Sequence, residues 1–210
     1  MTAEKFVKKV LAKIRIDEII VGKNFFFGRN KKGSLKDLKK YSGIYGYRVS
    51  VTENVKSYGR IISSTWIRSL ILKGDLEKAS RLLLRPVTVL GTVIEGRKRG
   101  RIIGYATANI DPHHEVIPPS GVYVVKIKLD NKLYKGILNI GIRPTFDENV
   151  SGNIEPTIEV HIFDFNKYIY GKDLEIIFLK KIRNEKKFRD LFHLRKQIEK
   201  DEKEAKLILS

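Results

Sequence analysis

The chain has 210 residues, a formal net charge of +18, 42% hydrophobic residues and no cysteine. That is enough apolar sequence for one large domain or two modest ones. Without cysteine there is neither a disulfide framework nor a thiolate metal site, so nothing points to an oxidising compartment and a cytoplasmic protein is expected. The charge would attract phosphates of any kind, and because it is spread along the whole chain it also fits a plain lysine-rich solvated surface.

At the N-terminus, "MTAEKFVKKVLAKI" sets Phe6, Val7, Val10, Leu11 and Ile14 at helical spacing, which predicts an amphipathic helix rather than a cleavable signal. No apolar run reaches the length of a membrane span, so no membrane partner is expected. "EIIVG" reads as a short buried strand. After the loop "KNFFFGRNKKG", Ser34 is placed to cap a helix through about Tyr41, and the strand "YRVSVTE" follows. Two more helices are predicted, one in "SSTWIRSLILKG" with Ser63 or Ser64 as cap and Gly74 as stop, the other in "DLEKASRLLLR" capped by Asp75.

Pro86 ends this α/β texture, which predicts a domain boundary at Arg85–Pro86: an α/β segment over 1–85 and an all-β domain over 86–210. The strands "VTVLGTVIEG", "GVYVVKIKLD", "KLYKGILNIG", "TIEVHIFDF" and "DLEIIFLKKI" follow, with "DNK" as a tight hairpin signal. Several antiparallel strands at this spacing predict a small closed barrel, since closure removes exposed edges. From about Lys186 a helix is predicted, with Leu191, Leu194, Ile198 and Ala205 as its buried stripe and Glu199/Lys203 and Glu202/Lys206 at the stabilising i, i+4 spacing.

Two places have a composition suited to chemistry. In "GRKRGRIIGYATANIDP", Gly96, Gly100 and Gly104 with Arg97, Lys98, Arg99 and Arg101 make a positive segment whose backbone N–H groups can approach phosphate oxygens. Behind it Thr107 and Asn109, two apart, share one face of an extended backbone and offer hard oxygen donors of the kind magnesium accepts beside phosphates and waters. The plainer reading is a basic turn entering a strand. In "TIEVHIFDF", alternation separates Ile158, Val160 and Ile162 from Thr157, Glu159 and His161. A carboxylate in mid-strand suits a general base that takes the proton from an attacking hydroxyl, although a solvated outer face would also place Glu159 there. The pair His113–His114 in "DPHHEVIPP" is expected to be a polar loop, because neighbouring side chains diverge.

The motifs "GRIIGYATANI", "GVYVVKI", "LNIGIRPTF", "IEVHIFDF", "YGKDLEIIFLKKIRNEKKF" and "QIEKDEKEAK" stand in the order and at the spacing of the riboflavin kinase module of bacterial bifunctional riboflavin kinase/FAD synthetases, which the segment from Val87 onward resembles. The resemblance implies a six-stranded barrel that transfers the γ-phosphoryl of ATP, with Mg2+, to the 5′-hydroxyl of riboflavin, giving FMN. It implies Glu159 as general base, Thr107 and Asn109 as ligands of magnesium and nucleotide phosphate, Gly100, Arg101 and Gly104 in a loop over the nucleotide, and Arg183, Glu185 and Phe188 in a flap near the flavin. Ala106 stands where the family usually has proline, which leaves φ unset and a looser loop expected.

Residues from about Ala3 to Arg85 are similar to the second half of the same family's FMN adenylyltransferase domain, a Rossmann-like nucleotidyltransferase. "VGKNFFFGRNKKG", with Asn24 for the usual aspartate, and "ISSTWIR" carry this likeness. It implies a remnant ATP site at Ser63, Ser64, Thr65 and Arg68, since a helix start suits phosphates. The His-x-Gly-His motif that adenylyl transfer requires does not occur in the sequence. FAD formation by this chain alone is therefore not expected, and a missing N-terminal transferase segment, as part of a longer protein or a split gene, is the expected partner. The competing reading from another class is a basic nucleic-acid-binding barrel, motivated by the charge and "KNFFFGR", although the Gly and Val positions of the RNP1 pattern are missing.

Overall fold

The computed structural model describes residues 1–96, 104–142 and 156–210. They form two compact units, Met1–Ile62 and Ser63–Ser210, each described by itself. Among the described residues no helix is long and apolar enough to cross a membrane.

In the first unit, helix α1 (Ala3–Lys9) is capped by Thr2 and gives way to a 3-10 turn at Leu11–Lys13, because Val10 leaves helical geometry; the predicted helix is thus shorter than its apolar spacing suggested. Strand β1 (Glu18–Gly22) pairs in parallel with β4 (Arg48–Thr52), and between them lie the short β2 (Phe26–Phe27), β3 (Gly33–Ser34) and helix α2 (Leu35–Tyr45). Ser34 caps α2 in a reciprocal box with Asp37, and the helix runs on to Tyr45, stopped by Gly46 in the left-handed region. The small hairpin β5 (Lys56–Ser57) with β6 (Arg60–Ile61) ends the unit.

The core here is Val7, Val21, Phe27, Leu38 and Tyr47. Two aromatics of "KNFFFGR" serve it: Phe25 stacks on Phe27, and Phe27 is buried, while Phe26 faces out. That use removes most of the stacking surface that a nucleic-acid reader would need. The strand "EIIVG" is not buried as expected. Only Val21 is covered and Ile20 is 63% exposed, since a two-stranded ladder gives each strand one neighbour and one packed face.

The second unit opens with α3 (Ser64–Lys73), capped by Ser63 and ended by Gly74 at φ +80°, and α4 (Leu76–Leu83), capped by Asp75. Contacts group both helices with the barrel, so the break between compact units falls at Ile62–Ser63 whereas the change of sequence texture falls at Arg85–Pro86. The barrel comprises β7 (Thr88–Ile94), β8 (Ala108–Asp111), β9 (Gly121–Leu129), β10 (Lys132–Ile142), β11 (Pro156–Ile162) and β12 (Asp173–Arg183). It closes in the order β10-β11-β8-β7-β12-β9, every pair antiparallel. The "DNK" signal is a two-residue turn with Asp130 and Asn131 both at positive φ, the geometry that joins twisted strands most directly.

Alternation fills the interior with Val93, Ile110, Tyr123, Leu138, Ile158, Val160 and Ile176, all buried. The Tyr123 phenol donates to the Pro119 carbonyl at 2.6 Å, and burial pushes its pKa up to about 12. Outside, α5 (Leu191–Leu209) covers part of the wall, with Ala205 and Leu209 on Val124, Ile137 and Phe163. It starts at Leu191 rather than near Lys186, because Asp190 caps it and residues 184–189 are held otherwise, as shown below. Its buried stripe therefore shifts. Leu191 is exposed, and Asp201 and Leu209 are buried with Ala205. Lys206 pairs with Glu202 as predicted, while Glu199 pairs with Arg195 instead of Lys203.

Candidate active site on the outer barrel wall

The barrel register carries Glu159 to the centre of a polar row. It is paired across β11 with Asn109 of β8 on one side and Asn139 of β10 on the other. Its neighbours along the strand, Ile158 and Val160, point inward and are buried, so Glu159 lies on the outer wall, half-buried. Directly paired side chains on one face have Cβ atoms about 5 Å apart, which sets two neutral amides beside one carboxylate. Asn139 escaped the sequence reading. The signal was there, a lone polar residue between the inward-facing Leu138 and Ile140.

Three more polar groups converge next to this row. A Cβ built on Gly141 would meet the Glu185 Oε1 at 2.7 Å, the Thr157 Oγ1 at 3.2 Å and the Asn139 Nδ2 at 3.4 Å. Glu185, on the segment after β12, thus reaches back over β10 to the neighbourhood of Glu159, and the missing side chain at 141 is what leaves it room.

Asn109 is fixed from the other side: its Nδ2 lies over Gly96, 1.9 Å from where a Cβ there would stand. Thr107 lies one residue before the Ala108–Val160 pairing, next to His161. The His161 Nδ1–H donates to the Ala106 carbonyl at 2.8 Å, and its ring meets Tyr105 edge-on at 5.2 Å. Ala106 is thus held through its carbonyl, so the looseness expected from the lost proline is met by a specific anchor. Thr107 also lines a cavity of about 500 Å³ with Ala106, Ala108, Phe165, Tyr168 and Tyr170. That size suits a small-molecule ligand, and Glu159 is outside its lining.

Gly104 sits in a turn at φ +84° with open space around its Cα. Gly100 and Arg101, with Arg97, Lys98 and Arg99, lie outside the described residues. Arg183 stands in the same cross-strand row as Glu159, beyond Asn139 and Val122, roughly 14 Å round the wall at ordinary strand spacing. Its guanidinium is engaged by Asp201 and stands over the Phe188 ring at 5.8 Å. Ser63 accepts the Trp66 N–H as cap of α3, with Ser64, Thr65 and Arg68 exposed in the helix's first turns. His113 turns back to its own loop, its N–H on Asp111 and its ring on Thr92.

A riboflavin kinase family model matches residues 83–209 and an FAD synthetase model matches residues 1–66. The chain is 37% identical over 98% of its length to a bifunctional riboflavin kinase/FMN adenylyltransferase of Bacillus subtilis, and 40% identical over 96% to the one of Buchnera aphidicola. It spans 64% of the length of each of these relatives. Among solved structures, a protein from Streptococcus pneumoniae described as a macrolide-efflux protein superposes with a TM-score of 0.77 at 34% identity, over 98% of this chain and 65% of that one. From the closed six-stranded barrel, the C-terminal helix on its wall and the match over 83–209, the chain belongs to the riboflavin kinase family.

Proposed function

We propose that the chain phosphorylates riboflavin at its 5′-hydroxyl with ATP, and that the kinase module begins near Pro86. The observation that carries this reading is the cross-strand row Asn109–Glu159–Asn139, a carboxylate held between two amides on the outer wall. In the reaction the 5′-hydroxyl oxygen attacks the γ-phosphorus, its proton passes to Glu159, and the bond from the γ-phosphorus to the β–γ bridging oxygen breaks, so ADP leaves with the electron pair. The paired amides are neutral and add no charge beside the carboxylate.

The cavity beside Thr107, walled by Tyr168, Tyr170 and Phe165, suits the base of the nucleotide, whose phosphates would then lie toward Thr107 and Asn109. The Thr107 hydroxyl and the Asn109 amide oxygen are neutral, hard donors, and they fit magnesium, which prefers few protein ligands plus phosphates and waters. When bound, Mg2+ neutralises phosphate charge that develops on the transferring group. Glu185 and Phe188 would face the flavin. No role in adenylyl transfer is proposed for Ser63, Ser64, Thr65 and Arg68 in this chain alone; their reading as phosphate contacts needs the rest of a nucleotidyltransferase site.

Incubation with riboflavin, ATP and Mg2+ should yield FMN and ADP in equal amounts, and incubation with FMN and ATP should yield no FAD. Chromatography of the flavins reads both. Absence of FMN would overturn the kinase reading, and FAD would overturn the second statement.

A further inference from the structure

Two segments flank the proposed reaction face, and both are tied to α5 by adjacent carboxylates. Asp201 is 2% exposed. It accepts Arg183 Nε–H at 3.0 and 2.9 Å on its two oxygens, Nη2–H at 2.7 Å, and Gln197 Nε2–H at 2.7 Å. Arg183 in turn grips both ends of the following segment: its Nη1–H donates to the Asn184 carbonyl at 3.0 Å, and its guanidinium stands over Phe188. Register shifts in β12 on either side of Lys180–Lys181 re-aim this end of the strand toward the helix.

Glu202 serves the other segment. It pairs with Lys206 at 2.6 Å, whose ammonium stands over the Phe163 ring. Phe163 packs against His161, which holds Tyr105 and the Ala106 carbonyl. Consecutive helix positions are about 100° apart around the axis. Asp201 and Glu202 can therefore reach different segments from one rigid element, itself fixed to the barrel by Ala205 and Leu209.

We infer that Asp201 and Glu202 are positioning residues with separate tasks: Asp201, through Arg183, holds the 184–188 segment that carries Glu185, and Glu202, through Lys206 and the Phe163–His161 pair, holds the segment that carries Thr107. This rests on the kinase reading above for what the two segments bind. The tasks divide by substrate. Asp201 governs the flavin side and Glu202 the nucleotide side, though they are neighbours in the chain.

The test has two arms. Trypsin cleavage at the exposed Lys186 and Lys187 should be about tenfold faster in Asp201→Asn, the effect of removing one strong charge-assisted contact, and unchanged in Glu202→Ala. In FMN formation, Asp201→Asn should raise the KM for riboflavin by about tenfold and leave that for ATP unchanged, while Glu202→Ala should do the reverse. If Asp201→Asn does not fold, Arg183→Lys keeps the charge and loses the fork, and takes its place in both arms. Unchanged cleavage, or a KM change shared equally by the two substrates, would overturn the inference. A wild type that makes no FMN would overturn the kinase reading instead, and the proteolysis arm would still decide the positioning.

Discussion

Glu159→Gln should lower kcat for FMN formation by about 10²–10⁴-fold, with both KM values near those of the wild type. The amide keeps the size of the side chain and its place between Asn109 and Asn139, so binding and fold are preserved while the proposed proton acceptor is lost. The loss corresponds to about 3–5 kcal/mol of transition-state stabilisation. Initial rates at saturating riboflavin, ATP and Mg2+ measure it directly. A rate within a few-fold of wild type would remove Glu159 from the chemistry and leave it a polar residue of the outer wall. A fall in kcat together with a large rise in KM would assign it to ground-state binding instead.

Arg183→Ala should cost about 3–5 kcal/mol of stability, because it strands a buried carboxylate. Asp201 would keep only the Gln197 N–H. For a unit of this size each kcal/mol moves the melting temperature by about 2–4 °C, so a fall of roughly 6–20 °C is expected. Replacing both partners with apolar residues, Arg183→Met with Asp201→Leu, should recover most of it, since neither charge is then left unpaired. Thermal unfolding of the single and double variants settles the comparison. A single variant that melts with the wild type would show the pair to be dispensable for stability. The double variant also separates two functions of this contact, for it restores packing without restoring the grip on Asn184 and Phe188.

What could be read from the sequence was whatever repeats locally. Ser34, Ser63 and Asp75 cap their helices as expected because a cap needs only a hydroxyl or carboxylate three residues from the N–H it accepts. The barrel strands follow from period-two alternation, and the β9–β10 turn from two residues that tolerate positive φ. The family resemblance added the roles. Elements that differ from their local pattern do so for tertiary reasons: "RNEKKF" has good helical composition, yet the Arg183 clamp holds it in another conformation until Asp190 starts α5. "EIIVG" has the composition of a buried strand, but the second face of its ladder is open. Tyr105 and Glu202 join the site only through barrel register and helix docking, which no local window contains.

The closed ring also governs the order in which the domain can assemble. β9 and β10 are adjacent in the chain and zip from a two-residue turn, a local event. β12 must then pair with β9 and with β7, Ile177 meeting Thr88 from the far end of the domain. That last seam carries the loop-closure entropy of almost the whole barrel. During synthesis, β7 to β11 emerge before the strand that seals them, so the unsealed margins of β7 and β9 are the surfaces most open to misassociation until β12 leaves the ribosome.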